Sequence, residues 1–386
     1  MLSWLVWLFL GVALLYWLTY AAFAALNLRL MPALRELHPA EPPRLPRLSL
    51  IVPASNEADT LEAALASKLA QDYPHLEFVL VNDRSTDGTG EVMERMAGGD
   101  SRIRVLHVRE LPQGWLGKVN ALHQGVRAAS GEWLLFSDAD VHFAPGTLRK
   151  AVAYALRRGL DHLAVIPHLH SRSFWLDVAV ALFSRVPVVS MPYWAVENPK
   201  SKTSAGMGAF NLVRREALEK TPGLEWLRME VGDDVGLGLM LKRTGARQSL
   251  VHGRGTVGVL WYENFAQMLR GTEKVWLASV GNYSPPGIGA FALVFLLLEM
   301  SPFLALAVNP WLAVALLILS FYTAVVASRF NEQALAPALA WPIGSLILVY
   351  SALHAAWVAQ RQGGLVWRGT FYRLSELRKG KRFRAF

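Results

Sequence analysis

Two aspartates separated by one alanine end an apolar run in the segment EWLLFSDADVHF, residues 132–143. Side chains two positions apart in an extended segment point to the same side, so Asp138 and Asp140 would lie together at the end of a buried strand. Like charges at that distance repel each other and resist burial. A hard divalent cation would remove the repulsion, because Mg²⁺ and Mn²⁺ bind carboxylate oxygens together with substrate phosphates.

Other polar residues stand at the ends of neighbouring strand signals. Glu57 follows LSLIVPASN, and Asp83 follows LEFVLVN. Lys118, in GWLGKVNAL, stands at the start of a predicted helix, where an ammonium group would suit phosphate oxygens. Taken singly, Asp83 could be a turn or cap residue and Lys118 a solvated surface lysine. Their common position after the strands favours a shared site.

The elements that must position these residues alternate between strand and helix signals from about residue 48. The strand signals are LSLIVPA, LEFVLVN, RIRVLHV and WLLFSDAD, and helical segments separate them. This alternation predicts an α/β domain with a mainly parallel sheet covered by helices on both faces. Ligands of such sheets bind beyond the carboxyl ends of the strands, which is where the polar residues fall.

Composition indicates a membrane protein. The chain has 386 residues, 53% of them hydrophobic, with 14 Trp and no Cys. The absence of Cys excludes disulfides, thiolate metal sites and cysteine nucleophiles. Residues 2–28 carry no charge and can cross a hydrocarbon core of about 30 Å. They predict an uncleaved anchor rather than a signal peptide, because no basic residue precedes them and the apolar run is long.

Several segments together resemble a known family. The chain is similar to family 2 glycosyltransferases of the GT-A fold, an inverting class that uses nucleotide-diphosphate sugars. The resemblance implies a Rossmann-like, mainly parallel GT-A catalytic domain, here flanked by transmembrane helices. It covers about residues 48–276 and rests on six segments in the family's order: VPASNE, VNDRSTDGT, GWLGKVNAL, SDAD, GAFNLVRREAL and MEVGDDVGLGLMLKRTGAR.

The resemblance implies a role for each candidate residue. Glu57 and Asp83 would contact the base or ribose of the nucleotide sugar, and Lys118 would lie near its diphosphate. In the D-x-D motif, Asp140 would bind Mg²⁺ or Mn²⁺, and Asp138 would lie near the ribose or the metal. Together these residues would form the donor site.

The family's acid–Asp pair at the start of a helix matches Asp233 and Asp234. By that match Asp234 is the general base, which takes the proton of the acceptor hydroxyl as it attacks the anomeric carbon. A positioned carboxylate can accelerate such a step by about 10²- to 10⁴-fold. For Asp233 a helix N-cap is an equally good interpretation.

Many family members carry Q-x-x-R-W after the base. Gln267 and Arg270 match the first part of this motif, and Arg270 would contact the diphosphate or the acceptor, while Gln267 would belong to the nucleotide-sugar site. Gly271 stands where the Trp would be, and Lys274 follows one helical turn after Arg270. The missing aromatic residue argues against a processive polysaccharide synthase.

The apolar segments indicate a lipid acceptor. Residues 173–196 are apolar except for Asp177 and Arg185, which predicts an interfacial helix, with a buried core helix as the alternative. The architecture resembles ceramide glucosyltransferases and bacterial carotenoid or hopanoid-associated glycosyltransferases. The resulting prediction is metal-dependent transfer of a sugar, from a UDP-sugar, to a membrane lipid hydroxyl.

The predicted division of the chain follows its hydropathy and charge. Arginines after the anchor place the catalytic domain in the cytoplasm of a multi-pass protein of the cell (inner) membrane. Three full crossings after that domain would put the basic tail outside, so one segment could be re-entrant, or the tail could lie on the membrane surface. The expected segments are the anchor 1–28, a Pro-rich linker 29–47, the GT-A domain 48–265, an interfacial segment 266–283, transmembrane helices 284–360 and a basic tail 361–386.

Two other functions stay open. A polyprenyl-phosphate sugar synthase would need extra basic residues beside the base, and Arg214, Arg215 and Arg228 are candidates. A catalytically silent nucleotide-sugar-binding membrane protein would have no need of Asp234. Binding of nucleic acid is not expected, because the Lys and Arg residues stand beside membrane segments and acidic residues line the predicted site.

Overall fold

The computed structural model describes residues 2–383, and strands alternate with helices through its central part. The first half of the chain forms α1 (Leu2–Leu30), β1 (Leu48–Ala54), α2 (Ala58–Leu69), β2 (Leu76–Asp83), α3 (Thr89–Gly99), β3 (Ile103–Val108), α4 (Gly117–Ala128), β4 (Trp133–Phe136), β5 (Val141–Phe143), α5 (Thr147–Arg158), β6 (His162–Ile166), β7 (His168–His170) and α6 (Phe174–Ser190).

The second half completes the sheet and then becomes mainly helical. It forms β8 (Asn211–Arg214), α7 (Arg215–Glu219), α8 (Asp233–Arg243), β9 (Gln248–His252), β10 (Val257–Leu260), α9 (Phe265–Val275), a π-helical turn (Trp276–Val280), α10 (Pro285–Leu304), α11 (Pro310–Asn331), α12 (Leu335–Leu339), α13 (Trp341–Gln362), β11 (Gly364–Trp367), β12 (Thr370–Arg373) and α14 (Leu374–Gly380).

The central sheet has seven strands in the order β3-β2-β1-β4-β8-β6-β9. Strands β3, β2, β1 and β4 are parallel, β8 runs antiparallel between β4 and β6, and β9 is parallel to β6. The predicted α/β fold with a mainly parallel sheet is therefore confirmed. A second sheet has the order β5-β10-β7, and β11 and β12 form a separate hairpin.

The central strands are covered on both faces. Every residue of β1 is buried. Because successive side chains point to opposite faces, Ile51 packs into the core on one face, and Leu50 and Val52 pack into the core on the other. Helix α4 covers the first face, and α2, α3 and α5 cover the second. Burial on both faces explains why the strand reads as a continuous apolar run.

Four helices are long and apolar enough to cross a membrane by length and composition: Trp4–Leu30, Pro285–Ala307, Pro310–Asn331 and Trp341–Gln362. Helix α10 leads away from the catalytic domain. Helix α11 leads back to it, because Glu332 at its end pairs with Arg35 and Arg254. The indole of Trp341, at the start of α13, stacks on Phe303 near the far end of α10, with 6.2 Å between the ring centroids.

Helix α13 therefore also leads back to the catalytic domain, and the link between α11 and α13 contains only the five-residue α12. The hairpin that follows α13 contacts the catalytic domain directly, since Arg368 pairs with Glu57. The tail and the catalytic domain consequently lie on the same side of the helices. This geometry agrees with the re-entrant alternative and differs from a tail on the opposite side.

The structure shows what α6 and the basic tail pack against. Helix α6 fits the buried-core alternative: it is buried among α1, α11, α12 and α13, and only Phe174 and Trp175 at its start are largely exposed. The basic tail is folded. It forms the β11–β12 hairpin and α14, which pack on the catalytic domain through Tyr372 and Leu377. Residues 384–386 of the tail lie outside the described part of the chain.

Candidate active site

The site lies where β1, β2 and β4 end. The side chains of Asp138 and Asp140 follow β4, and Glu57 follows β1. Burial and the charges of Asp138 and Glu57 raise the pKa of Asp140 to about 6, so these carboxylates are close enough to repel one another. The sequence predicted this convergence from the strand ends, and the parallel pairing of β1 with β2 and β4 brings it about.

Lys118 neutralises part of this charge. Its Nζ lies 2.7 Å from Asp138 Oδ1 and 3.7 Å from Asp233 Oδ1, and the side chain is 16% exposed. Burial would lower the pKa of Lys118, but the two carboxylates raise it above its ordinary value. In turn, burial would raise the pKa of Asp138, and the Lys118 charge outweighs it and holds that pKa below its usual value. Lys118 is therefore a buried ammonium that joins the D-x-D segment to α8.

Gly208 joins the same two segments through its backbone. Its amide donates to Asp234 Oδ2 at 2.7 Å, and its carbonyl accepts from the Asp138 amide at 3.0 Å. A Cβ at this position would lie 2.7 Å from Asp138 Oδ2 and 3.3 Å from Lys118 Nζ. Only a residue without a side chain allows this approach, so Gly208 is a positioning residue that the motif reading had not singled out.

Asp233 and Asp234 begin α8, but their surroundings differ. Asp233 is buried, and burial together with the charges of Asp234 and Asp138 raises its pKa to about 7 against the effect of Lys118. It is the first residue of the helix, and Gly232 holds the N-cap position, so the N-cap interpretation of Asp233 is wrong. Asp234 is half-buried, and its Oδ1 accepts the Val235 amide at 2.8 Å.

The carboxylates fit a divalent cation that is completed by substrate oxygens. Asp138, Asp140 and Glu57 repel one another at the site, and the buried Lys68 offsets this only in part. Its Nζ donates to the Asp138 carbonyl at 2.9 Å, and burial lowers its pKa to about 8. Within residues 2–383 no three His, Asp or Glu side chains are arranged to hold a metal by themselves. Two carboxylates plus phosphate oxygens is the arrangement that Mg²⁺ commonly adopts.

The two residues expected to bind the nucleoside both have arginine partners. Glu57 Oε1 lies 2.8 Å from Arg368 Nη1. Asp83 is buried, and Arg84 holds both of its oxygens, with Nε 2.8 Å from Oδ1 and Nη2 3.2 Å from Oδ2. A Cβ at Gly117 would lie 2.2 Å from Asp83 Oδ2, so the start of α4 closes over this carboxylate.

The structure does not bring Gln267 and Arg270 into this cluster. Gln267 Oε1 accepts the Glu263 amide at 3.1 Å, and Arg270 is exposed. The cation that α9 does bring to the site is Lys274, whose pKa burial and the Lys118 charge lower. Lys274 is one turn further along the helix than Arg270, about 6 Å closer to its carboxyl end. On α9 it is therefore Lys274, and not Gln267 or Arg270, that lies near the carboxylates.

The structure gives a physical reason for glycine, rather than Trp, at position 271. A Cβ at Gly271 would lie 2.3 Å from the Tyr262 hydroxyl, so the tyrosine fills the space of a side chain at 271. Burial, with a smaller contribution from the charge of Asp140, raises the pKa of Tyr262. The space beside position 271 is thus filled by an aromatic side chain from a different part of the chain.

Sequence reasoning also missed Lys68, Arg84 and Arg368. Arg84 directly follows Asp83 and could have been considered as its partner. Lys68 lies on α2 and Arg368 beyond α13, so both reach the site only through tertiary packing, and no local signal marks them.

The sheet topology and the acidic strand ends define a GT-A type of domain. Residues 49–221 match the model of glycosyl transferase family 2. The chain therefore contains a family 2 glycosyltransferase domain, which confirms the resemblance inferred from its motifs.

Curated relatives match parts of the chain. It is 31% identical over 113 residues to the putative teichuronic acid biosynthesis glycosyltransferase TuaG of Bacillus subtilis, covering 29% of this chain and 43% of that protein. It is 26% identical over 253 residues to 4,4'-diaponeurosporenoate glycosyltransferase of Staphylococcus aureus, covering 64% of this chain and 65% of that protein. The matched region thus spans less than half of TuaG.

A solved structure shares the fold over nearly the whole chain. The mannosyltransferase PcManGT of Pyrobaculum calidifontis superposes with a TM-score of 0.56 over 94% of this chain and 99% of that chain, at 22% identity. At this identity the likeness establishes the fold, including helices outside the sheet domain.

Proposed function

We propose that this protein is an inverting glycosyltransferase that moves a sugar from a UDP-sugar to a hydroxyl group of a membrane lipid, with Mg²⁺ or Mn²⁺. One observation carries the proposal. Asp138, Lys118, Asp233 and Asp234 form a single cluster at the carboxyl edge of the sheet, joined by the backbone of Gly208. In this proposal the base and the diphosphate site are neighbours within that cluster.

Asp234 acts as the general base in this proposal. It is half-buried and so reachable, and the amides of Gly208 and Val235 donate to its two oxygens and hold the carboxylate in place. The acceptor hydroxyl gives its proton to an Asp234 oxygen while its own oxygen bonds to the anomeric carbon. The bond from that carbon to the diphosphate breaks on the opposite face, and its electron pair leaves with the nucleoside diphosphate. Asp233, buried against Lys118, positions the base.

Asp138 and Asp140 would hold the divalent ion. When bound, the ion would neutralise negative charge on the diphosphate. Lys118 keeps Asp138 ionised and in place, and Lys274 adds positive charge on the side of α9. These residues act on the leaving group, whereas Asp234 acts on the acceptor, so the two halves of the reaction have separate side chains.

Three observations support a lipid acceptor. Four helices could cross a membrane, and α9, beside the site, packs on α13 through Thr272 and Ser351. One relative is named for 4,4'-diaponeurosporenoate, and another, 36% identical over 104 residues, is named for an acceptor on PP-undecaprenol. An acceptor that enters from the helical side would reach the cluster without leaving the membrane surface.

Two of the three arginines that would favour a polyprenyl-phosphate acceptor lie away from Asp234. Arg214 is at the end of β8 that pairs with Trp133, the first residue of β4, and so lies at the amino edge of β4. Arg215 donates to the carbonyl oxygens of Gly131 and Ala129 at the same edge. The third, Arg228, is exposed, and its carbonyl accepts the Leu116 amide at 2.7 Å just before α4, so Arg228 is the remaining candidate for an anionic acceptor.

The test is transfer of label from UDP-glucose into lipid. Purified full-length protein in detergent, with Mg²⁺ or Mn²⁺ and a lipid extract, should place label in the organic phase. Asp234→Asn keeps the shape of the side chain and an oxygen that accepts from Gly208, and it should reduce transfer by at least about 10²-fold. Asp72→Asn, at a side chain that is 84% exposed, is the matched control and should be as active as wild type.

Two outcomes would contradict the proposal. Equal transfer by Asp234→Asn and wild type would remove Asp234 as the base. Metal-dependent UDP binding without transfer to any lipid, across a panel of nucleotide sugars, would instead support a silent binding protein.

A further inference from the structure

The β11–β12 hairpin lies against the donor side of the candidate site. Arg84 Nη1 donates to Thr370 Oγ1 at 3.0 Å, and the Gly117 amide donates to the Tyr372 hydroxyl at 3.3 Å. These two hydrogen bonds join residues that are 286 and 255 positions apart in the chain. The hairpin is thus attached to both β2 and the start of α4, the two elements that enclose Asp83.

A third contact links the hairpin to α9. Lys274 Nζ lies 4.8 Å from the centroid of the Trp367 ring, in a cation–π contact. Lys274 is the cation that α9 brings to the carboxylates. The hairpin therefore borders the site, and it contacts the end of β2, the start of α4 and α9, which border the site as well.

The turn of the hairpin has an unusual residue. Trp367 pairs with Thr370, so Arg368 and Gly369 form a two-residue turn, with φ of 47° and 75°. Turns of this kind favour Asn, Asp or Gly at the first of these positions, because an L side chain adopts positive φ only at a cost. Residues held in such conformations cluster at functional sites. Asn at position 368 would adopt this turn at a lower conformational cost than Arg does.

The Arg368 side chain points to the ends of the catalytic strands. Its Nη1 donates to the Ser55 carbonyl at 2.6 Å and lies 2.8 Å from Glu57 Oε1, and the side chain is 37% exposed. Arg368 is therefore held at the end of β1, where Glu57 stands.

Three cations from distant parts of the chain thus meet at this edge of the site. Lys118 is already paired with two carboxylates. Lys274 contacts the Trp367 ring and, within residues 2–383, forms no ion pair with a carboxylate. An anionic ligand at this point would stabilise Lys274 and Arg368 together.

We propose that Arg368 is a donor-binding residue. Its guanidinium group would move away from Glu57 and bind the diphosphate of the nucleotide sugar. The inference rests on the proposed donor chemistry. A guanidinium group presents paired N–H donors that match phosphate oxygens, and such charge-assisted hydrogen bonds are among the stronger ones. Glu57 holds Arg368 at the edge of the site until the diphosphate takes its place.

The experiment compares Arg368→Asn with wild type. Asn-Gly is a preferred pair for this turn, so the variant should fold with an unchanged thermal midpoint. Arg373→Asn is the matched control: it makes the same substitution on the same hairpin, at an exposed residue whose side chain has no hydrogen bond or ion pair within residues 2–383. Titration calorimetry of full-length protein in detergent with Mg²⁺ would use UDP, GDP, UMP and GMP.

Arg368→Asn should raise the Kd of the nucleoside diphosphate that wild type binds by about tenfold, as expected for one lost charge-assisted hydrogen bond. The Kd of the matching monophosphate should rise by less than about threefold, and Arg373→Asn should change neither. An unchanged diphosphate Kd would refute the inference and leave the proposed function intact.

Other outcomes also contradict it. An equal loss for mono- and diphosphate would place Arg368 at the nucleoside or the first phosphate. A thermal midpoint lowered by several degrees together with lost binding would indicate a structural role. Wild type that binds none of the four nucleotides would refute both the inference and the donor chemistry beneath it.

Discussion

Gly208→Ala tests whether the cluster geometry controls catalysis. The added methyl group would lie 2.7 Å from Asp138 Oδ2, whereas ordinary van der Waals contact begins at 3.4 Å. The Asp138 carboxylate must therefore retreat by about 0.7 Å. Because the obstacle is the end of a side chain and Gly208 does not have positive φ, the backbone can keep its course. The fold should survive, and the carboxylate should not keep its position.

The expected cost falls on the reaction. A displacement of about 1 Å at a reacting group can reduce the rate by about 10²-fold. For Gly208→Ala we expect a loss of this order in transfer rate, equivalent to ~2.7 kcal/mol in activation free energy. The free energy of unfolding should fall by less than about 1.5 kcal/mol. Sugar transfer into lipid and denaturant unfolding in detergent measure the two quantities.

Gly98→Ala is the matched control, because a Cβ at Gly98 meets nothing within 4 Å. It lies in α3, where Ala is a better helix former than Gly by about 1 kcal/mol, so activity should be unchanged and stability equal or higher. Transfer by folded Gly208→Ala at a rate within about threefold of wild type would refute the reasoning. Such a result would mean that the Asp138 position does not limit the reaction.

Three further predictions concern buried charge. Lys118→Met should lower the free energy of unfolding by about 3 kcal/mol, because it leaves Asp138 and Asp233 without their cation; equal denaturant midpoints for variant and wild type would contradict this. Burial lowers the pKa of His162 from 6.5 to about 4. As pH falls, this imidazole is therefore protonated in the unfolded state before it is protonated in the folded state. The free energy of unfolding should then decrease by on the order of 3 kcal/mol between pH 6.5 and pH 4. His162→Gln should show a shallower pH dependence, and an unchanged slope would count against the assignment. Arg185→Met should destabilise the protein by about 3–5 kcal/mol, because the buried charge of Glu299 would keep the Tyr16 hydrogen bond but lose its cation. Adding Glu299→Gln should recover part of the loss, and no recovery would argue against the pair.

The local features of the fold could be predicted from the sequence. Continuous apolar runs marked strands buried on both faces, and their alternation with helices indicated a mainly parallel sheet. The acidic residues after β1 and β4 could be assigned to one edge because parallel strands end together. Apolar runs of about 20 residues marked the long helices. All of these signals depend on period, composition and neighbours along the chain.

Predictions that needed distances between elements were less complete. The position of Lys118 near the diphosphate stays a prediction, and the structure adds its pairing with Asp138 and Asp233, which the sequence did not indicate. Gln267 and Arg270 were expected at the site, and Lys274 lies there instead. A motif match identifies a helix but does not fix how far along it the site lies, because that depends on how α9 packs against α13.

The sequence by itself determined the α/β class, the acidic strand ends, the acid pair at the start of α8 and the apolar helices. Only the tertiary structure decided that α6 lies inside the helices, that Gly208 joins the D-x-D motif to Asp234, and that the C-terminal hairpin brings Arg368 to Glu57. The physical reason is the range of the interactions. Strand and helix signals come from residues a few positions apart, whereas these contacts join segments brought together only when the whole chain has packed.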